Sequence, residues 1–321
     1  MPTTPATLGF SDYTALFTTT LARYAEKTLT DNIFASSVIL TKIKESGRYL
    51  PAPGGVFILE PLLFGKNATV KSHDPYETIS VTPQEGIGAA GYLWKEVSGS
   101  VVISDRELAE NKGEQAVINL MQSKITQAEG SLQEEIATQL FADGTGNSGK
   151  DLIGLAAINS NTITLGGIAP GTYTWWKPGS LTGSVGAVTL KVIGNSITNA
   201  TKAPNRPDLI VTTGLIWDSL ANTLQGQQRY VDKDAKLADA GFENFTIRGI
   251  PVVWDELQAA QTIDFLTTKN MALRYHPDWD FKTTEMQRPP NAKYQAALVS
   301  FMGNITVNRR KSFARQTGVT P

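Results

Sequence analysis

The sequence predicts an α+β fold in which strand-rich segments flank one dominant helix. Three observations lead to it. Short apolar runs rich in β-branched and aromatic residues, bounded by Gly, Pro, Asn and Asp, recur over 56–103 and again over 207–307. Between them, 104–142 carries apolar residues at three- and four-residue steps, the spacing of a helix with one buried face. Threonine accounts for 36 of the 321 residues, which suits strands better than helices.

The composition removes whole classes of function. Lys and Arg number 29 against 30 Asp and Glu, a net charge of −1, so there is no basic footprint for autonomous nucleic-acid binding. Absence of cysteine removes disulfides, thiol nucleophiles and zinc-thiolate sites, and two histidines cannot make a multi-histidine metal site. Arg23 is the first basic residue, so no charged region precedes an apolar one and no secretory signal is expected. The longest apolar stretch, Val56 to Phe64, contains Glu60 and Pro61 and falls far short of the roughly 20 residues of a membrane span. A soluble, intracellular or virus-borne protein is expected.

Along the chain, Phe10, Tyr13, Leu16, Phe17, Leu21 and Tyr24 predict an amphipathic helix in an N-terminal arm too small to be a domain. From Gly47 to Ile103 the pattern is that of strands. Val56–Leu59 and Leu62–Phe64 run out, Tyr92–Val97 and Val101–Ile103 run back, and the tip from Ser72 to Gly88 is polar. This predicts a long antiparallel hairpin, which is marginal by itself and calls for a partner. Ser104 followed by Glu107 has the spacing of a capping box and opens the long helix to Ala142, ~57 Å if continuous. Asp143–Lys150 stops it with turn residues. A second unit follows: helices at 188–200 and 215–224, a buried strand at 207–213, and strands at 245–247, 250–254, 265–266 and 272–275. The final strands, 294–301 and 304–307, are joined at Gly303 and lead to a basic tail, Arg309-Arg310-Lys311.

No motif carries catalytic chemistry. Gly144-Thr-Gly146-Asn-Ser-Gly149-Lys150 satisfies two glycine-loop patterns, but Asp151 stands where a phosphate-binding loop needs a Ser or Thr for magnesium. A long helix also precedes it, where a strand is required, so the glycines read as a helix stop. His276 lies before Pro277 in a turn, and His73 at the hairpin tip. Asp232-Lys-Asp234 lacks the third ligand of a calcium loop, and Trp175-Trp176 suits a core or an interface better than a stacked ligand.

Arm, hairpin, strut helix and compact α/β unit together resemble the tailed-phage major capsid proteins of the Hong Kong 97 fold. The resemblance rests on order and spacing, including Pro53-Gly54-Gly55 before the first strand, Pro207–Thr212, Ile216-Trp217-Asp218, Gly241-Phe242, Arg248–Val253 and Asn304–Arg310. It implies an N-terminal arm at 1–47, an extended E-loop hairpin at 48–103 and a peripheral domain with spine helix at 104–182. An axial domain at 183–270 follows, then peripheral strands returning to it at 271–321. It implies a virion subunit that assembles with itself as hexamers and pentamers around double-stranded DNA, touched non-specifically. A scaffolding protein, portal and decoration protein are the further partners, with no membrane, cofactor, metal or catalytic residue. Inter-subunit contact candidates are Phe57, Leu59, Leu63, Phe64, Tyr92, Trp94, Arg229, Arg309 and Arg310. The absence of a motif linking Lys66 or Lys71 to Asn291 or Asn304 points to a non-covalent shell. The alternatives are an encapsulin-like compartment of the same fold and, from a different class, a nucleotide-binding enzyme built on Lys150.

Overall fold

A computed structural model of the chain describes residues 37–110, 120–202, 204–225 and 244–321. The predicted arm helix at Phe10–Tyr24 and the candidate Arg229 lie outside the described residues. In chain order the elements begin with α1 (Val38–Glu45), β1 (Tyr49–Pro51), β2 (Phe57–Leu63), β3 (Ile87–Leu93), β4 (Lys95–Ser104), α2 (Asp105–Glu110) and α3 (Leu120–Phe141). They continue with α4 (Leu155–Ile158), β5 (Ser180–Thr182), β6 (Gly186–Ala187), α5 (Leu190–Ala200), β7 (Leu209–Thr212) and α6 (Gly214–Gln225). The strands β8 (Asn244–Ile247), β9 (Ile250–Trp254), β10 (Thr262–Leu266), β11 (Met271–Tyr275), β12 (Lys282–Thr283), β13 (Tyr294–Val307), β14 (Ala314–Thr317) and β15 (Val319–Thr320) complete the described chain.

Two compact units emerge. The described part of the first comprises 98–110, 120–133 and 281–300. Its helix start is the capping box expected from sequence: the Glu107 amide donates to Ser104 Oγ (3.2 Å) while Glu107 Oε2 accepts from the Ser104 amide (2.8 Å). Lys124 Nζ, on α3, donates to Glu107 Oε1 at 2.8 Å and ties the two helical segments together. Of the long helix expected over 104–142, the segments α2 and α3 are helical; residues 111–119 between them lie outside the described residues. β12 pairs antiparallel with β13, Lys282 opposite Ser300.

The second unit holds the six-stranded sheet β5-β14-β10-β7-β9-β8. β7 reads Leu-Ile-Val-Thr with every residue buried, so the sheet is covered on both faces at this strand. Ile193 and Ile197 of α5, Ile216 and Leu220 of α6, and Ile210, Val252 and Phe265 of the sheet form its core. β8 and β9 are joined through Arg248 (φ 53°) and Gly249 (φ 74°), the two left-handed positions of a tight type I′ turn. Asp264 on β10 is fully buried opposite Arg315 on β14, whose guanidinium donates to both carboxylate oxygens at 2.7 Å. Asn159 and Gln258 donate to the same carboxylate, each at 2.9 Å. The same unit contains the two-stranded ribbon β2-β3 and the parallel pairing of β1 with β11.

Three expectations are corrected. The return run of the hairpin divides at Trp94: β3 pairs with β2, whereas β4, which holds Val101 and Ile103, pairs with β13. Gly303 is not a joint but lies inside the continuous strand β13, where a Cβ would fall 2.5 Å from the Arg274 carbonyl oxygen. The basic tail is not a solvated end. Arg310 is fully buried, and the residues after it enter the six-stranded sheet as β14.

Candidate assembly surface

β2 reads Phe-Ile-Leu-Glu-Pro-Leu-Leu and alternates exposed and buried from end to end. Successive side chains of a strand point to opposite faces, so one face carries Ile58, Glu60 and Leu62 inward. Across the ribbon Ile58 faces Tyr92 and Glu60 faces Ala90. The inward face is anchored by polar contacts at both strands. The Tyr92 hydroxyl donates to the Val307 carbonyl (2.8 Å) and accepts from the Val307 amide (3.1 Å). Burial pushes the Tyr92 phenol well above its usual range, which keeps it a neutral donor. Glu60 Oε1 accepts from Arg274 Nε (2.8 Å) and Thr306 Oγ1 (2.9 Å), pinning β2 to β11 and β13.

The outward face is different. Its register pairs are Phe57–Leu93, Leu59–Gly91, Pro61–Ala89 and Leu63–Ile87, with no polar side chain among them. Leu59 is 65% exposed, Leu63 81% and Ile87 80%. Eleven of the eighteen exposed large apolar residues described in the chain lie between Val56 and Leu93. Fully burying one such side chain contributes roughly 1.5–3 kcal/mol, and a contiguous exposed apolar face of this kind marks an interaction surface. Pro61 withholds an amide from an open strand edge, which restrains uncontrolled strand pairing.

The sequence-predicted contact residues therefore separate. Phe57, Leu59, Leu63 and Phe64 are exposed on the hairpin, and Phe64 stacks on Trp175 with ring centroids 4.9 Å apart. Trp94 is half-buried: its indole donates to the Gly55 carbonyl (2.7 Å) and meets His276 edge-on. Tyr92 and Arg310 are buried within their own chain and offer no surface to a neighbour. Arg309 is half-buried beside Arg310. Sequence reading missed the exposed Ile87 and Leu93 and the Glu60 anchor. The signal was present, since a run apolar on both faces with one embedded acid belongs to a strand buried on both sides.

The glycine loop before Lys150 holds no phosphate cradle. Asn147 and Ser148 both adopt left-handed backbone, and a Cβ on Gly146 would fall 2.0 Å from Asp151 Oδ2, so a carboxylate covers the loop. Among the described residues no group of three or more acidic or imidazole side chains is placed to hold a metal ion, and no helix is long and apolar enough to cross a membrane.

No family model and no curated protein sequence matches the chain. Solved structures do. The capsid protein of cyanophage A-1(L) superposes with a TM-score of 0.75 at 16% identity, over 94% of this chain and 98% of its own. The chain has the Hong Kong 97-like capsid fold. The capsid of the Myoviridae phage XM1 shares that fold at a TM-score of 0.59 and 12% identity, covering 91% of this chain and 95% of its own. So does the holo-SrpI encapsulin complex of Synechococcus elongatus, at 0.56 and 13%, over 97% and 96%. Near-complete coverage of all three means that the capsid fold extends from the hairpin through the six-stranded sheet.

Proposed function

We propose that the chain is the major capsid subunit of a tailed phage, assembling as hexamers and pentamers into an icosahedral or prolate head around double-stranded DNA. The observation that carries this reading is the apolar outward face of the β2–β3 ribbon, on a fold shared with phage capsid proteins. Such a face needs a partner, and the most abundant partner in a shell is another copy. Laid across a neighbouring spine helix, Phe57, Leu59, Leu63 and Phe64 become buried between chains, and repeated contacts of this kind build interfaces of thousands of Å². The role is structural rather than catalytic.

In this reading 1–47 is the arm, 48–103 the E-loop, 104–182 the peripheral domain with its spine, 183–270 the axial domain, and 271–321 the return. A separate scaffolding protein, a portal and a decoration protein complete the partner set. The encapsulin likeness supports a second reading, a shell around protein cargo. The larger TM-score of the cyanophage capsid favours the phage. The experiment is expression of the full chain, followed by negative-stain imaging and analysis of particle contents. Closed shells are expected, with packaged DNA when the other head proteins are present; stable monomer under all conditions overturns the proposal, and protein cargo moves it to the second reading. Replacing 72–86, which leaves β2 and β3 whole, by a short Gly/Ser turn should leave circular dichroism unchanged and abolish regular shells.

A further inference from the structure

The two ends of the six-stranded sheet carry opposite chemistry. β7 and β9 run parallel, Thr212 opposite Trp254, so their first residues share one end and their last residues the other. At the first end stand Arg248, in the β8–β9 turn, and Arg206, three residues before β7; the Arg206 guanidinium donates to the Arg248 carbonyl. Lys202 is held to the same loop by its paired backbone bonds with Asn205. All three cations are exposed, and none forms an ion pair among the described residues. The Arg248 guanidinium lies against α5 and donates to the Gly194 carbonyl (3.2 Å) and Thr198 Oγ1 (3.4 Å), which leaves Lys202 and Arg206 the more available donors. The acid at this end, Asp208, is engaged by the Thr268 amide and hydroxyl (2.9 and 2.6 Å).

At the other end Trp254 closes β9 with 42% of its surface in solvent. A Cβ on Gly214, the first residue of α6, would lie 3.9 Å from its indole. Asp218 is one helical turn further along the same face of α6 and is exposed, as is Glu256, two residues after Trp254. Leu215 beside them is 73% exposed. An open indole with two exposed carboxylates close to it in the chain, neither ion-paired among the described residues, is a receptor for a guanidinium, which stacks on the ring face while its donors meet the acids. The basic end supplies that group. The two ends lie on opposite sides of one sheet, so one copy cannot satisfy itself, and a head-to-tail contact repeated by rotation closes a ring.

We propose that the sheet ends dock copy to copy, Lys202, Arg206 and Arg248 of one chain against Trp254, Asp218 and Glu256 of the next. The inference rests on the shell reading and names the surface that closes its capsomers. Three full-length variants test it by sedimentation of particles, with circular dichroism for folding: Lys202→Glu with Arg206→Glu, Asp218→Lys with Glu256→Lys, and all four together. Each reversed end should lower particle yield at least about tenfold, because like charges then face each other, and the fourfold variant should return it to within about twofold of the parent. Parental yield from either reversed end, or no recovery in the combination, overturns the docking while leaving the shell reading intact. Failure of the parent chain itself to form particles overturns both. If a reversed chain does not fold, Arg206→Gln and Asp218→Asn serve instead. A yield about threefold lower in each supports the docking, and an unchanged yield overturns it.

Discussion

Arg310 shows how far one residue departs from its apparent type. In sequence it sits in a cluster of three cations, yet it is fully buried and its guanidinium donates to the carbonyls of Ala157 (2.6 Å), Ile158 (2.7 Å), Ser160 and Ile163 (3.1 Å). These include the last carbonyls of α4, which have no partner within the helix. Burial pushes the guanidinium down to about 10, still cationic at neutral pH. Lysine offers a point charge without the planar fork, so Arg310→Lys should destabilise the chain by roughly 2–4 kcal/mol in chemical denaturation. An unchanged midpoint would show that the carbonyls find other donors. Glu107 gives a second residue-scale expectation. Burial alone would raise its carboxyl, but the Lys124 ammonium and the Ser104 amide and hydroxyl outweigh it, and the net direction is down. The folded state therefore binds this proton more weakly than the unfolded state. Its contribution is complete above the ordinary value of 4.5 and fades as pH falls below it. Glu107→Gln should cost about 0.5–1.5 kcal/mol at pH 7, and the difference from the parent should shrink as pH falls below 4.5.

At the scale of the element, the β2–β3 ribbon has two apolar faces with different duties. Ile58 points inward and is 4% exposed; Leu59 and Leu63 point outward. Ile58→Ala removes buried methylenes and leaves a void, so it should lower stability by about 2–4 kcal/mol. Leu59→Ser with Leu63→Ser should change stability by less than about 0.5 kcal/mol per site while reducing particle yield sharply. Thermal melts and sedimentation of the same samples separate the two effects. Loss of stability from the outward pair would mean that the outer face is already covered within the chain. The capping box at Ser104 and the turn at Arg248-Gly249 were both legible in sequence, because each is set by residues two to four apart. The division of the hairpin at Trp94 was not. Val101 and Ile103 carry the same alternation whichever strand they pair with, and the choice of β13 as partner is made more than a hundred residues away.

At the scale of the whole molecule, the proposed function makes near-neutral charge decisive for any contact with DNA. With 29 cations against 30 anions, few phosphates are neutralised and few counterions released. The isolated subunit should therefore bind DNA only weakly, losing it with rising salt and without sequence preference. Fluorescence anisotropy on two unrelated duplexes across a salt series measures this. Sub-micromolar, sequence-selective binding at physiological salt would contradict the proposed role, in which the shell wall must let a packaged genome leave.

The sequence by itself determined the fold class, the helix that dominates it, the strands that surround it and the absence of thiol or multi-histidine chemistry. Those follow from composition and from periodicities of two and of 3.6 residues, which are local. Only the tertiary structure decided which apolar residues remain for a neighbour. Tyr92 and Leu93 are adjacent and both apolar in bulk, but the pleat sends one onto Val307 and the other into solvent. Burial is a property of what packs above a residue, and what packs above β3 comes from β13, some two hundred residues further along the chain.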